Sequence, residues 1–220
     1  MESTDCLEYI ISALDQIPTI NMDSRILVPG VGTSPIAKQL YDSGYGNITV
    51  MDLEAEAINA QRLHFENIKG GVPTTVIFLQ TDALKDAKPF SGDTFDVIVD
   101  KSFLDVFHTL GGSRAVQRKL IDCLKLEGVV LVISIYHLKW RGMFPRGKGW
   151  VVKYGSVTKP RYGSKRTSVK QLSNPICLLL ASRGLTTESM KTIVKMGDAT
   201  LRNLHGMSEW EFPQLEAGSM

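Results

Sequence analysis

The stretch Ile26-Leu27-Val28-Pro29-Gly30-Val31-Gly32-Thr33-Ser34 decides the fold. Its first four residues form a short apolar run of the kind buried inside a sheet, and the run breaks at a Gly-x-Gly turn. Two glycines let the backbone turn tightly and leave room for a ligand to lie against it. A helix from about Ser34 to Ser43 is expected next, capped by Thr33 or Ser34, with Pro35 in its first turn. The start of such a helix offers free amide donors to a nucleotide-like ligand. Pro35 stands where a dinucleotide turn would carry its third glycine, which removes the close helix approach of a nicotinamide-binding site.

Working outward, strand-like and helix-like runs alternate. Asn47 to Met51 reads as a second strand ending in Asp52, and Ala55 to Ile68 as a helix. Thr75 to Leu79 is a third strand followed by Asp82, and Thr94 to Val99 a fourth that ends at Asp100. Ser113 to Leu126 places Val116, Leu120, Cys123 and Leu124 on one helical face, and Val129 to Ile135 is the fifth strand. This order predicts a parallel sheet covered on both faces, and right-handed crossovers make it doubly wound. Trp150 to Val157 and Ile176 to Ala181 read as an antiparallel pair closing the sheet's edge. The expected fold class is therefore α/β, a doubly wound, mostly parallel seven-stranded sheet with an antiparallel edge strand. Leu7, Ile10, Ile11 and Leu14 predict an opening amphipathic helix, and Thr187 to Leu204 a closing one.

The chain has 220 residues and a mass of 24.3 kDa, the size of one ordinary domain. Its 43% hydrophobic and 22% charged content excludes collagen-like, disordered and coiled-coil classes. The longest apolar stretch, Gly128 to Ile135, is strand-sized, so no membrane-spanning helix is expected. Glu2 and Asp5 precede the first apolar residues, the wrong charge for a secretory or mitochondrial leader, and a cytoplasmic location is the expectation. Cys6, Cys123 and Cys177 are odd in number and widely spaced, which writes neither a disulfide framework nor a metal site. Charge is uneven: residues 139–170 hold ten Lys and Arg and no acid, so a segment of +10 sits on a body of −8. That asymmetry suggests either an anionic partner or a solvated basic loop.

Ligands of open parallel sheets bind beyond the carboxyl ends of the strands, where strand order reverses. Asp52, twenty residues past Gly32, can accept from both hydroxyls of a ribose. Asp82 ends the next strand region and can accept from an exocyclic adenine amine. Either acid could instead be a helix cap, a role Asp favours.

The run ILVPGVGTSPIAKQLYDSGYGNITVMDLEAEAINAQ resembles the first motif and acidic loop of the seven-strand S-adenosylmethionine-dependent methyltransferases. FDVIVDKSFLDVF is similar to the Asp-Lys-Gly-Thr-Leu-Asp-Ala stretch of the methyltransferase-like subgroup that modifies lysines of translation elongation factor 1 alpha, with Ser102-Phe103 in place of Gly-Thr. GWVVKYGSV is similar to that subgroup's sixth strand. The resemblance implies S-adenosyl-L-methionine as cofactor, held by Pro29, Gly30, Val31, Gly32, Ser34, Asp52, Leu53, Asp82, Ala83 and Asp100, with no metal. It implies Asp100 and Lys101 beside the transferring methyl, and Tyr136, where the chain leaves the fifth strand, is the third candidate catalytic residue. It also divides the one domain into an N-terminal helix (1–23), a cofactor-binding half (24–136), a basic substrate-side half (137–184) and a C-terminal helix and tail (185–220).

Methyl transfer from a sulfonium asks an enzyme to align a neutral nucleophile and exclude water. A lysine amine must first shed a proton, and a carboxylate such as Asp100 could orient it. Lys101 is awkward beside a cationic cofactor, and the alternative reading pairs it with Asp105 or Asp100. Tyr136 and His137 leave the fifth strand at the same edge. The leading acceptor is a protein lysine. RNA or a small molecule is the alternative, since Trp140, Trp150, Tyr154 and Tyr162 are interleaved with the bases of 139–170. A non-catalytic module that keeps the cofactor is a third.

Overall fold

A computed structural model describes residues 10–11, 14–15, 17–66, 68, 71–86, 94–110, 113–134, 150–157 and 176–183. The strands are β1 (Ile26–Pro29), β2 (Ile48–Asp52), β3 (Val76–Gln80), β4 (Phe95–Lys101), β5 (Leu124–Ser134), β6 (Trp150–Val157) and β7 (Ile176–Arg183). The helices outside the N-terminal segment are α1 (Ile36–Asp42), α2 (Ala55–Glu66), α3 (Phe103–Leu110) and α4 (Ser113–Asp122). Among the described residues the strands form one sheet in the order β3-β2-β1-β4-β5-β7-β6.

The first five strands of that order run parallel. All four residues of β1 are buried, as a central strand covered on both faces requires. Side chains alternate between the two faces, and the sequence sorts accordingly. Ile26, Val28, Val97, Val99, Val129, Leu131 and Ile133 join one core layer with Ile36, Ala37 and Leu40 of α1 and Phe65 of α2. Leu27, Ile98, Val130 and Val132 join the other with Leu104 of α3 and Val116 and Leu120 of α4. Helices thus cover both faces, and strand order reverses at β1, which has β2 on one side and β4 on the other. The carboxyl ends of β1 and β4 therefore form the switch point of the sheet.

Several sequence expectations change. The antiparallel strand is not the edge strand: β7 lies between β5 and β6 and pairs antiparallel with both. Ile176-Cys-Leu-Leu-Leu-Ala181 is apolar at every position, which suits a strand flanked on both sides. β6, with Lys153, Gly155 and Ser156, has the composition of an edge. The helix expected to reach Leu126 ends at Asp122, and β5 already begins at Leu124. Register slips between Phe95 and Val97 where β4 meets that extension, and Glu127 takes a left-handed φ of 64°. Helix α1 starts at Ile36 with Pro35 as its N-cap and no side-chain cap, so neither Thr33 nor Ser34 serves. Ile10 and Leu14, from the expected opening helix, are buried in the core. The closing helix, residues 137–149 and 158–170 of the basic region, Tyr136 and His137 lie outside the described residues.

Candidate active site at the carboxyl edge of the sheet

The glycine turn leaves β1 with Gly30 and Gly32 both at φ +56°, a conformation that disfavours a side chain. Each glycine has a separate reason for it. A Cβ on Gly30 would collide with the ring of Phe103, whereas one on Gly32 would meet nothing within 4 Å. Gly30 admits a packing neighbour, and Gly32 keeps an open face.

Three strand ends are tied together here. The Gly32 amide donates to Asp52 Oδ2 at 2.8 Å, and Glu54 donates to Asp52 Oδ1 at 3.1 Å. Val31 donates to the Met51 carbonyl at 3.3 Å, and Thr81 to that of Asp52 at 2.8 Å. A carboxylate offers about four lone-pair sites, so Asp52 retains acceptor capacity beyond its two amide bonds. Behind the turn, Gln61 of α2 is 0% exposed and donates from Nε2 to the carbonyls of Gly32 at 2.8 Å and Ser34 at 2.9 Å.

Asp82 shapes the next loop. Its Oδ1 accepts from Leu84 at 2.9 Å and Lys85 at 3.3 Å, and its Oδ2 pairs with the Lys85 ammonium at 3.1 Å. The Leu84 amide, followed by Lys85, holds its carboxyl below the ordinary value. Lys119 of α4 donates to the carbonyls of Ala83 (2.9 Å), Leu84 (2.8 Å) and Asp86 (2.8 Å), fixing the loop from the other side. Ala83 is buried. Leu53 and Leu84 are 56% and 45% exposed beside the two acids, apolar side chains with open faces.

Asp100 is placed otherwise than as a group reaching into a cleft. It is 0% exposed, and its two oxygens accept from the amides of Phe103 (2.8 Å) and Leu104 (3.2 Å) at the start of α3. Desolvation, opposed by those two amides and reinforced by Asp105, pushes its carboxyl up to about 8. Between strand and helix, Ser102 adopts φ +65°. Asp105, also buried, accepts from the Ser134 hydroxyl at 2.5 Å and thereby ties α3 to the end of β5. Lys101 is half-buried at the end of β4.

The structure thus gathers Pro29, Gly30, Val31, Gly32, Ser34, Asp52 and Leu53 at one edge, with Asp82 and Ala83 on the loop after β3 and Asp100 and Lys101 at the end of β4. Sequence reading missed Gln61 and Lys119. Gln61 had a signal, because it is the polar member of the buried stripe Ala57, Ile58, Gln61, Phe65. Lys119 had none beyond its place in the last turn of a helix.

Residues 27–132 match the family described as Methyltransferase domain. Over 149 residues the chain is 30% identical to the Methyltransferase srdJ of Neurospora crassa, covering 60% of this chain and 61% of that protein. Over 148 residues it is 31% identical to the eEF1A lysine and N-terminal methyltransferase of Mus musculus, covering 63% of this chain and 20% of that protein. The chain therefore spans about three fifths of the length of the first relative and about one fifth of the second. Among solved structures, YcgJ of Bacillus subtilis superimposes with a TM-score of 0.58 at 16% identity over 83% of this chain and 100% of that one. TrmN of Thermus thermophilus does so with 0.58 at 15% identity over 80% of this chain and 48% of that one. At those identities the likeness is one of fold. Residues 27–132, just under half of the chain, are thus similar to a methyltransferase domain.

Proposed function

We propose that this chain transfers a methyl group from S-adenosylmethionine to the amine of a protein lysine. The observation that carries the cofactor half is the Gly32 amide bonded to Asp52 at 2.8 Å, which joins the glycine turn to the acid of the neighbouring strand. The site suits the group chemically. Gly32 has an open face, Asp52 keeps acceptor capacity for ribose hydroxyls, and Leu53 and Leu84 present apolar surface for a purine. In this reading Pro29, Gly30, Val31, Gly32 and Ser34 border the methionine half, and Asp82 and Ala83 the adenine. Asp82 reaches it through Oδ2, whose present partner is the exposed Lys85 ammonium.

The bound cofactor would supply an activated methyl, whose carbon–sulfur bond breaks as a carbon–nitrogen bond forms. This chain's own task is to align and desolvate a neutral amine. Lys101 and Tyr136 border the transfer end in this proposal. Asp100 acts there through α3, since a carboxylate with both oxygens on backbone amides holds the helix start and Phe103 in place. The protein-lysine acceptor is supported by the names of the mouse relative and of its Danio rerio counterpart, 26% identical over 139 residues. Residues 24–136 would hold the cofactor, and 137–184 would face the acceptor.

Labelled S-adenosylmethionine, incubated with this protein and a cell lysate, should put label in the protein fraction, on lysine. Label confined to RNA or small molecules would overturn the acceptor. Asp52→Ala should weaken binding of S-adenosylhomocysteine by roughly 1.5 to 3 kcal/mol, the range for hydrogen bonds to a charged group. NAD should not bind. Unchanged affinity in that variant would remove Asp52 from the site.

A further inference from the structure

Gln61 is fully buried, yet no apolar neighbour explains an amide at that position of α2. Its Nε2 reaches two carbonyls of the glycine turn, Gly32 at 2.8 Å and Ser34 at 2.9 Å. Two carbonyl partners demand the NH2 end of the amide, which fixes its orientation. The other end, Oε1, and the hydroxyl of Ser34 are buried without a partner among the described residues. Leaving a buried polar atom unsatisfied costs free energy, and the same is true of replacing an apolar side chain by an amide in a core. A purely packing role at position 61 would be filled better by Leu or Met. What the amide adds is directional control of the turn.

We propose that Gln61 is a positioning residue for cofactor binding, locking the glycine turn from behind so that its outer face is held ready for the ligand. The inference rests on the cofactor site described above. A trans peptide is planar, with its carbonyl and the next amide pointing opposite ways. Pinning the Gly32 carbonyl toward α2 therefore aims the Thr33 amide away from the core. Pinning the Ser34 carbonyl fixes the entry to Pro35, the N-cap of α1. From the front, Asp52 holds the Gly32 amide at 2.8 Å. The turn is thus gripped from two sides, at the Val31–Gly32, Gly32–Thr33 and Ser34–Pro35 peptide groups, and Gly32 is held at its left-handed φ without a side chain of its own. A pre-set turn does not lose conformational freedom when ligand arrives, which is how rigidity becomes affinity.

The test is calorimetric titration of S-adenosylhomocysteine into wild type, Gln61→Met and Gln61→Glu. Methionine keeps the length and volume and removes both donors. Gln61→Met should raise Kd about tenfold, the effect of losing roughly 1.4 kcal/mol of turn organisation, with one site per molecule retained. Gln61→Glu should bind worse than Met at pH 8, where a carboxylate faces two carbonyls. It should recover part of the loss near pH 5.5, where the protonated acid donates one hydrogen bond. A merely structural Gln61 gives a different signature: lower thermal stability and fewer active molecules, with Kd unchanged in those that fold, and that result overturns the proposal. If Gln61→Met does not fold, the pH-dependent recovery of Gln61→Glu decides, and the shorter Gln61→Asn is titrated as a milder variant. If wild type takes up no S-adenosylhomocysteine, the cofactor site itself falls. Hydrogen exchange at the Thr33 amide then judges the clamp separately, since a locked turn in wild type must exchange more slowly than in Gln61→Met.

Discussion

The ring of Phe103, at the start of α3, lies so close to Gly30 that a Cβ there would overlap it. Phe103 also stacks edge to face on Phe107 at 4.9 Å between centroids, so it has little room to give. Gly30→Ala therefore adds strain at a left-handed φ, about 1 to 2 kcal/mol, to an overpacking cost of about 1 to 3 kcal/mol. We expect a loss of about 3 kcal/mol in urea unfolding. In a double-mutant cycle, Phe103→Thr should recover at least about 1 kcal/mol of that loss, because it removes the clashing ring and leaves only the backbone strain. Additive losses would show that the ring moves aside and that the contact does not dictate the glycine.

Ser102 sits at φ +65° one residue before Phe103, with its amide bonded to the Ile133 carbonyl at 2.9 Å. The left-handed conformation costs an L-residue about 1 to 2 kcal/mol, and glycine avoids that cost at the expense of about 0.5 to 1 kcal/mol of unfolded-state entropy. Ser102→Gly should raise stability by about 0.5 to 1 kcal/mol, read as a higher urea midpoint with an unchanged slope. A midpoint that falls would mean that the Ser102 hydroxyl contributes more than the strain removes.

What was legible in the sequence is what depends on short-range periodicity. Ile26-Leu27-Val28, Val97-Ile98-Val99 and Val129 to Ile133 are apolar at every position, and strands of a doubly covered sheet need nothing else. The place of Asp52 at the end of the strand after the glycine turn was legible as well, but its bond to the Gly32 amide was not. What was hidden depends on partners far along the chain. Gln61 and Lys119 act on carbonyls 27 to 36 residues away, and no local pattern encodes that reach. Helix α3 escaped because only Asp100, Lys101 and Ser102 separate the short run Phe103-Leu-Asp-Val-Phe from the apolar run of β4, and Asp100, its cap, reads equally well as the end of a strand. The order of β6 and β7 escaped although a signal was present, the unbroken apolar run of β7 against Lys153, Gly155 and Ser156 in β6.

Asp100 makes stability depend on pH in the direction opposite to an ordinary ion-paired carboxylate. Burial pushes its carboxyl up to about 8 from 3.8, against the opposing bonds from Phe103 and Leu104. Between those values the native state holds a proton that the unfolded state has released, so stability falls as pH rises. The contribution is fully present below about pH 4, declines by up to about 1.4 kcal/mol per pH unit, and is lost once pH passes about 8. Asp100→Asn keeps one acceptor for the helix start and cannot ionise. Its urea midpoint should match wild type near pH 3.5 and exceed it increasingly from there to pH 8.5. Parallel pH profiles in the two proteins would show that the carboxylate is solvated in solution. The same preparations separate two roles in methyl transfer. An Asp100 that acts only by holding α3 leaves the rate per folded molecule within a few-fold of wild type in the Asn variant. One that swings out to steady the developing charge on the amine would show a loss of about a hundredfold, the scale of removing one preorganised electrostatic group. We expect the first outcome, because a carboxylate that leaves the Phe103 and Leu104 amides would strand two buried donors at the start of α3.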